Sequence, residues 1–120
     1  MRHIALRVSD MKRSRAFYEG ALGLKVVWEP DPDNVYLTSG EDNIALHSER
    51  APMQGVQRLD HFGFILPTKE AVDRAQEELK KQGVPISKAA RDHRDGSRSF
   101  YISDPDGNVI QMLYLPGVSK

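Results

Sequence analysis

The sequence predicts an α+β fold made of two βαβββ modules in tandem, and three observations carry that prediction. The chain repeats itself: the segment opening at His3 (His-Ile-Ala-Leu-Arg-Val) is answered 58 residues later by one opening at His61 (His-Phe-Gly-Phe-Ile-Leu), and each runs through a capped helical stretch to a glycine, Gly23 or Gly83. Short strand-like runs separated by turn residues follow each helix, and Asp104-Pro105-Asp106-Gly107 is a strong hairpin signal, since proline presets φ and glycine accepts a positive one. With 120 residues, 39% of them hydrophobic, the chain is large enough for a single domain over residues 1–120.

The elements follow in order. Ile4, Leu6 and Val8 make one face of a first strand, with His3, Ala5 and Arg7 on the other. Ser9 or Asp10 caps the first helix, whose apolar stripe is Ala16, Phe17 and Leu22. Strands are expected at Lys25–Trp28, Val35–Thr38 and Ile44–His47, and the two prolines of 29–34 mark a loop. The turn at 40–43 is the weaker counterpart of the Asp-Pro-Asp-Gly hairpin. Module one thus covers about 1–50, a connector with Pro52 and Gly55 about 48–57, and module two about 58–117. In module two, Phe62, Phe64 and Leu66 oppose His61, Gly63 and Ile65. Thr68 caps a helix striped by Val72, Ala75 and Leu79, and strands are expected at Val84–Ser87, Ser99–Ser103 and Asn108–Leu115.

Composition narrows the function. Seventeen basic residues balance seventeen acidic ones, so no nucleic-acid partner is expected. The absence of cysteine removes a disulfide scaffold, a thiolate zinc site and a cysteine nucleophile, and suits a reducing cytoplasm. No run of about 18 apolar residues is present, and the alternating N-terminus lacks the apolar stretch of a signal peptide, so no membrane association is expected.

Four histidines are the chemistry-bearing residues to place. His3 and His61 open equivalent strands on the faces turned away from the helices. If a pseudo-twofold relates the modules, those faces curl as a mixed sheet around a shared cavity and the two imidazoles converge. A nitrogen-rich site of that kind suits Fe, Mn, Ni, Co or Zn, whereas any single histidine is more often a solvated or hydrogen-bonded side chain. His47 ends the third strand of module one on the side of Ala45. His93, within 91–96, reads as a solvated loop residue whose truncation should be silent.

The segments His3–Val8, Phe17-Tyr18…Leu22-Gly23-Leu24, Leu59–Phe64 and, most specifically, Ser99–Asn108 resemble the vicinal oxygen chelate superfamily. That superfamily includes glyoxalase I, extradiol dioxygenases, methylmalonyl-CoA epimerase and the fosfomycin- and bleomycin-resistance proteins. The resemblance covers essentially the whole chain and implies the glyoxalase/bleomycin-resistance/dioxygenase fold, whose members host many chemistries. It also implies metal ligands at His3, His61 and Gln111. Gln111 stands where Gly-Asn-x-Ile-Glu-Leu would carry glutamate; here the run is Gly107-Asn108-Val109-Ile110-Gln111-Met112. The fourth family position falls on Ala45, and His47 serves as a fourth ligand only if the strand path differs. Two imidazoles and an amide leave a divalent charge uncompensated, so weaker metal binding and less glyoxalase-type proton shuttling are expected.

Arg2, Arg7, Arg91, Arg94 and Arg98 are the candidate anion-binding groups. Arg7 faces the His3 side, where its charge needs a partner, a ligand or water. Arg7 and Arg98 are taken as substrate-binding candidates, although Arg94 and Arg98 border a solvated loop. Trp28, Tyr36, Phe100 and Tyr101 line a pocket or pack the core. The expected function is a divalent-metal-dependent glyoxalase- or dioxygenase-like enzyme that binds a small anionic or aromatic substrate through vicinal oxygens. The alternative is a metal-free, bleomycin-resistance-like protein that sequesters a small molecule. A homodimer is expected in either case.

Overall fold

The computed structural model describes residues 1–52 and 57–119, which form two compact units, Met1–Gln57 and Arg58–Lys120. Residues 53–56 of the expected connector at 48–57, Gly55 among them, lie outside the described residues.

In the first unit β1 (His3–Val8) leads through a short helix α1 (Met11–Arg15) to β2 (Lys25–Asp31), β3 (Asn34–Thr38) and β4 (Asn43–Ser48). The sheet order is β1-β4-β3-β2, with β1 parallel to β4 and the other pairs antiparallel. Asp10, not Ser9, caps α1: its carboxylate accepts from the Arg13 N–H at 3.1 Å. The expected regular helix is corrected. After Arg15 the backbone widens into a π-helical segment, Ala16–Ala21, where the Leu22 N–H reaches back five residues to the Phe17 carbonyl at 3.0 Å. Consecutive Phe17 and Tyr18 are both buried in consequence, their rings edge to face at 4.9 Å, while Ala16 is exposed. Gly23 then turns the chain at φ 75°, a value that residues with a side chain rarely adopt.

The loop expected at 29–34 is also corrected, because β2 continues through Pro30 to Asp31. Its place at the sheet edge explains this, since proline's missing N–H leaves no ladder bond unmade there. Leu6, Val8, Val35, Leu37, Ile44 and Leu46 form the helix-side core, each no more than 2% exposed. The side-chain amide of Gln57 pairs with both backbone groups of Arg7 and so closes part of the β1 edge.

The second unit repeats the plan with β5 (Phe62–Ile65), α2 (Lys69–Lys81), β6 (Ile86–Asp92), β7 (Arg98–Ser103) and β8 (Val109–Tyr114) in the order β5-β8-β7-β6. Thr68 caps α2 through the Ala71 N–H at 3.0 Å, and Val72 and Leu79 are its buried stripe. β6 begins two residues later than expected and runs five residues further, to Asp92, so Arg91 and Asp92 belong to a strand and not to a loop. Asn108 leaves β8 because it closes the hairpin, its amide donating to the buried Asp104 carboxylate at 2.8 Å. Phe100, Ile102, Ile110 and Met112 pack the helix side. No helix among the described residues is long and apolar enough to cross a membrane.

Candidate functional site

Each sheet keeps its helix on one face, and the polar side chains gather on the other. Strand pleating decides which residues reach that open face. In the second unit the ladder aligns Gly63, Gln111, Tyr101 and Lys88 in one row and Ile65, Leu113, Ser99 and Arg91 in the next. The equivalent rows of the first unit are Ala5, Ala45, Tyr36 and Trp28, then Arg7, His47, Asn34 and Asp31. Ala45 therefore occupies the place that Gln111 holds in the second unit, and His47 lies one pleat beyond it.

His61 and Gln111 flank Tyr101 on the open face. The His61 ring meets the Tyr101 ring edge to face at 5.9 Å, and Tyr101 is the direct ladder partner of Gln111. The His61 Nδ1–H donates to the Asp60 carboxylate at 2.5 Å, which leaves Nε2 as the nitrogen with a free lone pair. Gln111 donates its amide N–H to Ser99 Oγ at 3.0 Å, and Ser99 Oγ lies 2.8 Å from His93 Nε2. His93 is thus not a solvated loop side chain. It is half-buried, and its backbone N–H bonds the Ser97 carbonyl at 2.8 Å.

An open cavity of about 620 Å³ adjoins this cluster, lined by Gln111, Tyr101, His93, Leu113, Arg91 and Arg94 among others. Two aspartates also reach its wall, and both are occupied. Asp92 bonds Lys69 and Arg98, which hold its carboxyl below the ordinary value, Lys69 first; the Ser97 hydroxyl and N–H do the same for Asp95. Among the described residues, Arg91 and Arg94 have no carboxylate partner within ion-pair distance, so the rim carries two uncompensated guanidinium groups.

The remaining candidates divide between the two units. The His3 Nδ1–H donates to Asn43 Oδ1 at 2.8 Å on the open face of the first sheet, again leaving Nε2 free. His47 donates to Asn34 Oδ1 at 2.6 Å, and the Asn34 amide donates to both oxygens of Asp31 at 2.9 and 3.1 Å, so that its orientation is settled and His47 must carry its proton on Nδ1. Arg7 is mostly exposed and pairs with Glu49 at 3.2 Å. Arg98 is not brought to the open face. It binds Asp73 on α2 at 2.9 Å and Asp92 at 3.4 Å. Phe100 is core, whereas Trp28 stacks on Tyr36 at 4.9 Å with 59% of its surface exposed. Among the described residues, no three His, Asp or Glu side chains gather as a metal-binding group.

Residues 1–112 match the Glyoxalase/Bleomycin resistance protein/Dioxygenase superfamily, and the chain belongs to that family. It is 32% identical over 111 residues to a phenazine antibiotic resistance protein of Enterobacter agglomerans, covering 90% of this chain and 86% of that protein. It is 30% identical over 112 residues to a catechol-2,3-dioxygenase of Bacillus subtilis, covering 89% of this chain but only 38% of the dioxygenase. The crystal structure of a lactoylglutathione lyase from Agrobacterium tumefaciens superposes with a TM-score of 0.79 at 24% identity, over 95% of this chain and 92% of that one, which shows the shared fold. The expected α+β fold is confirmed as two four-stranded mixed sheets with their helices.

Proposed function

We propose that the protein is a divalent-metal-dependent enzyme acting on a small anionic compound, with His3, His61 and Gln111 as metal ligands. The observation that carries this reading is Gln111 itself: its amide nitrogen is engaged by Ser99, so its oxygen is the end available to a ligand, at a cavity rimmed by Arg91 and Arg94, neither of them ion-paired among the described residues. The donor set suits a divalent ion in kind, since His3 and His61 each hold Nδ1–H in a hydrogen bond and offer Nε2. Asp60, itself exposed, orients the His61 ring through this bond. Fe, Mn, Ni, Co or Zn, when bound, acts as a Lewis acid toward the substrate's paired oxygens. The chain's own groups bind and orient: Arg91 and Arg94 attract the anionic end, and the Tyr101 ring offers a flat apolar wall.

A metal-free binding protein is the second reading, supported by the neutral Gln111 and by the relative that bears an antibiotic-resistance name. In either case the protein is read as a cytoplasmic homodimer without nucleic-acid or membrane partners. Metal content of untagged wild-type, His3→Ala and His61→Ala protein tests the first reading. It expects a bound divalent ion in the wild type and none in either variant. Equal metal content in all three overturns the assignment of His3 and His61 as ligands, and none in the wild type favours the second reading.

A further inference from the structure

We infer that His93, acting through Ser99, is a positioning residue that sets which end of the Gln111 amide faces the cavity. This rests on the proposed role of Gln111 as a ligand, but the hydrogen-bond logic stands apart from any metal. Ser99 is 1% exposed, and its hydroxyl has two polar neighbours in the structure, Gln111 Nε2 at 3.0 Å and His93 Nε2 at 2.8 Å. A hydroxyl has one proton to give and accepts through its oxygen. The Gln111 amide can only donate, so Ser99 accepts from it, and the Ser99 proton has one acceptor left, His93 Nε2. A buried donor left unmade would be costly. His93 therefore carries its proton on Nδ1, and the run of donors is Gln111 N–H to Ser99, then Ser99 O–H to His93.

The consequence is polarity. With His93 accepting, the amide oxygen of Gln111 is turned to the cavity and offers a lone pair to a cation or to a ligand's hydrogen-bond donor. With His93 donating from Nε2, the Ser99 proton would need an acceptor on Gln111. The amide would then turn over and present N–H groups, an arrangement suited to a bare anion. The two tautomers of one histidine outside the ligand set thus correspond to the two kinds of ligand the cavity can take. The structure has the Gln111 nitrogen on Ser99, the arrangement that goes with an outward oxygen.

Nitrogen-15 NMR of the whole protein reads this directly and without metal. The expected result is His93 with Nε2 unprotonated and Nδ1 protonated, and a Gln111 side-chain amide signal that shifts in Ser99→Ala. A protonated Nε2, or a Gln111 amide indifferent to Ser99→Ala, overturns the inference. Mn²⁺ titration is the second readout. His93→Ala should weaken binding at least about tenfold, while His93→Gln, whose carbonyl can accept the Ser99 proton, should restore most of it. Equal affinity in wild type and His93→Ala overturns the inference. If the wild type binds no Mn²⁺ at all, the metal reading of Gln111 fails and the NMR result alone decides the positioning. Should Ser99→Ala fail to fold, Ser99→Thr, which keeps the hydroxyl, must leave both the amide signal and the His93 tautomer unchanged.

Discussion

Gly63 lies directly across the parallel β5–β8 ladder from Gln111, and a β-carbon on Gly63 would stand 2.6 Å from the Gln111 carbonyl oxygen. The restriction is one of contact: Gly63 is not among the glycines with positive φ. Gly63→Ala is expected to force the two strands apart and cost about 1–3 kcal/mol, read as a lower urea midpoint. Since the strand that must give carries Gln111, ligand affinity should fall as well.

Gln111→Glu tests the missing charge. The carboxylate adds an anion to the proposed ligand set at unchanged side-chain length, so divalent binding is expected to tighten by about tenfold, ~1.4 kcal/mol. Without metal the variant should melt lower than the wild type, because the carboxylate loses water at a part-buried position and no longer donates to Ser99. Calorimetric titration and thermal shifts with and without Mn²⁺ check both signs.

Acid titration should expose the Asp92 cluster. Its carboxyl is held below the ordinary 3.8 by Lys69 and Arg98, a depressed folded-state value. The stabilisation is therefore fully present above 3.8 and is lost as pH falls through the lowered folded value. Asp92→Asn is expected to be less stable than wild type at neutral pH, with the gap closing in the acid range. Urea midpoints measured across that range give the answer.

Assembly follows from what the first unit leaves exposed. Val27 and Trp28 on the edge strand β2 are 56% and 59% exposed, an apolar edge of the kind that partner strands or faces cover. A dimer is expected by light scattering at roughly 50 μM, and Trp28→Lys should shift it toward monomer. A monomeric wild type at that concentration refutes it.

The repeat made the fold readable, because pleat and period are local properties. His3, Ala5 and Arg7 separate from Leu6 and Val8 by alternation alone, and Gly23 and Gly83 mark helix ends by backbone chemistry alone. The errors fall where a third element decides. Pro30 stays in β2 because that strand has no neighbour beyond it, and the π-helical segment at Ala16–Ala21 brings Phe17 and Tyr18 inward together. At the site, His61 is legible as the repeat of His3 and Gln111 through the family resemblance, but His93 and Ser99 are not. Their bond crosses the β6–β7 hairpin, whose charged tip at 91–96 carries the sequence pattern of a solvated loop. A signal did exist: two residues before Tyr36 and Tyr101, the aligned repeats place a polar side chain on the open face, Asn34 in one and Ser99 in the other.

The alternation of each strand has a consequence for how such a protein changes over time. Along β8, Ile110 and Met112 answer to the core while Gln111 between them answers to the cavity, whereas along β4 Ala45 is as buried as its neighbours Ile44 and Leu46. A substitution at Gln111 leaves the neighbouring core residues in place, so selection can rewrite the open face of β8 at a smaller cost to folding than a core replacement carries. Duplication doubles that freedom, since one copy can keep an inherited side chain while its counterpart drifts. A lineage built this way can trade one reaction for another, or for simple capture of a toxic compound, without passing through an unfolded ancestor.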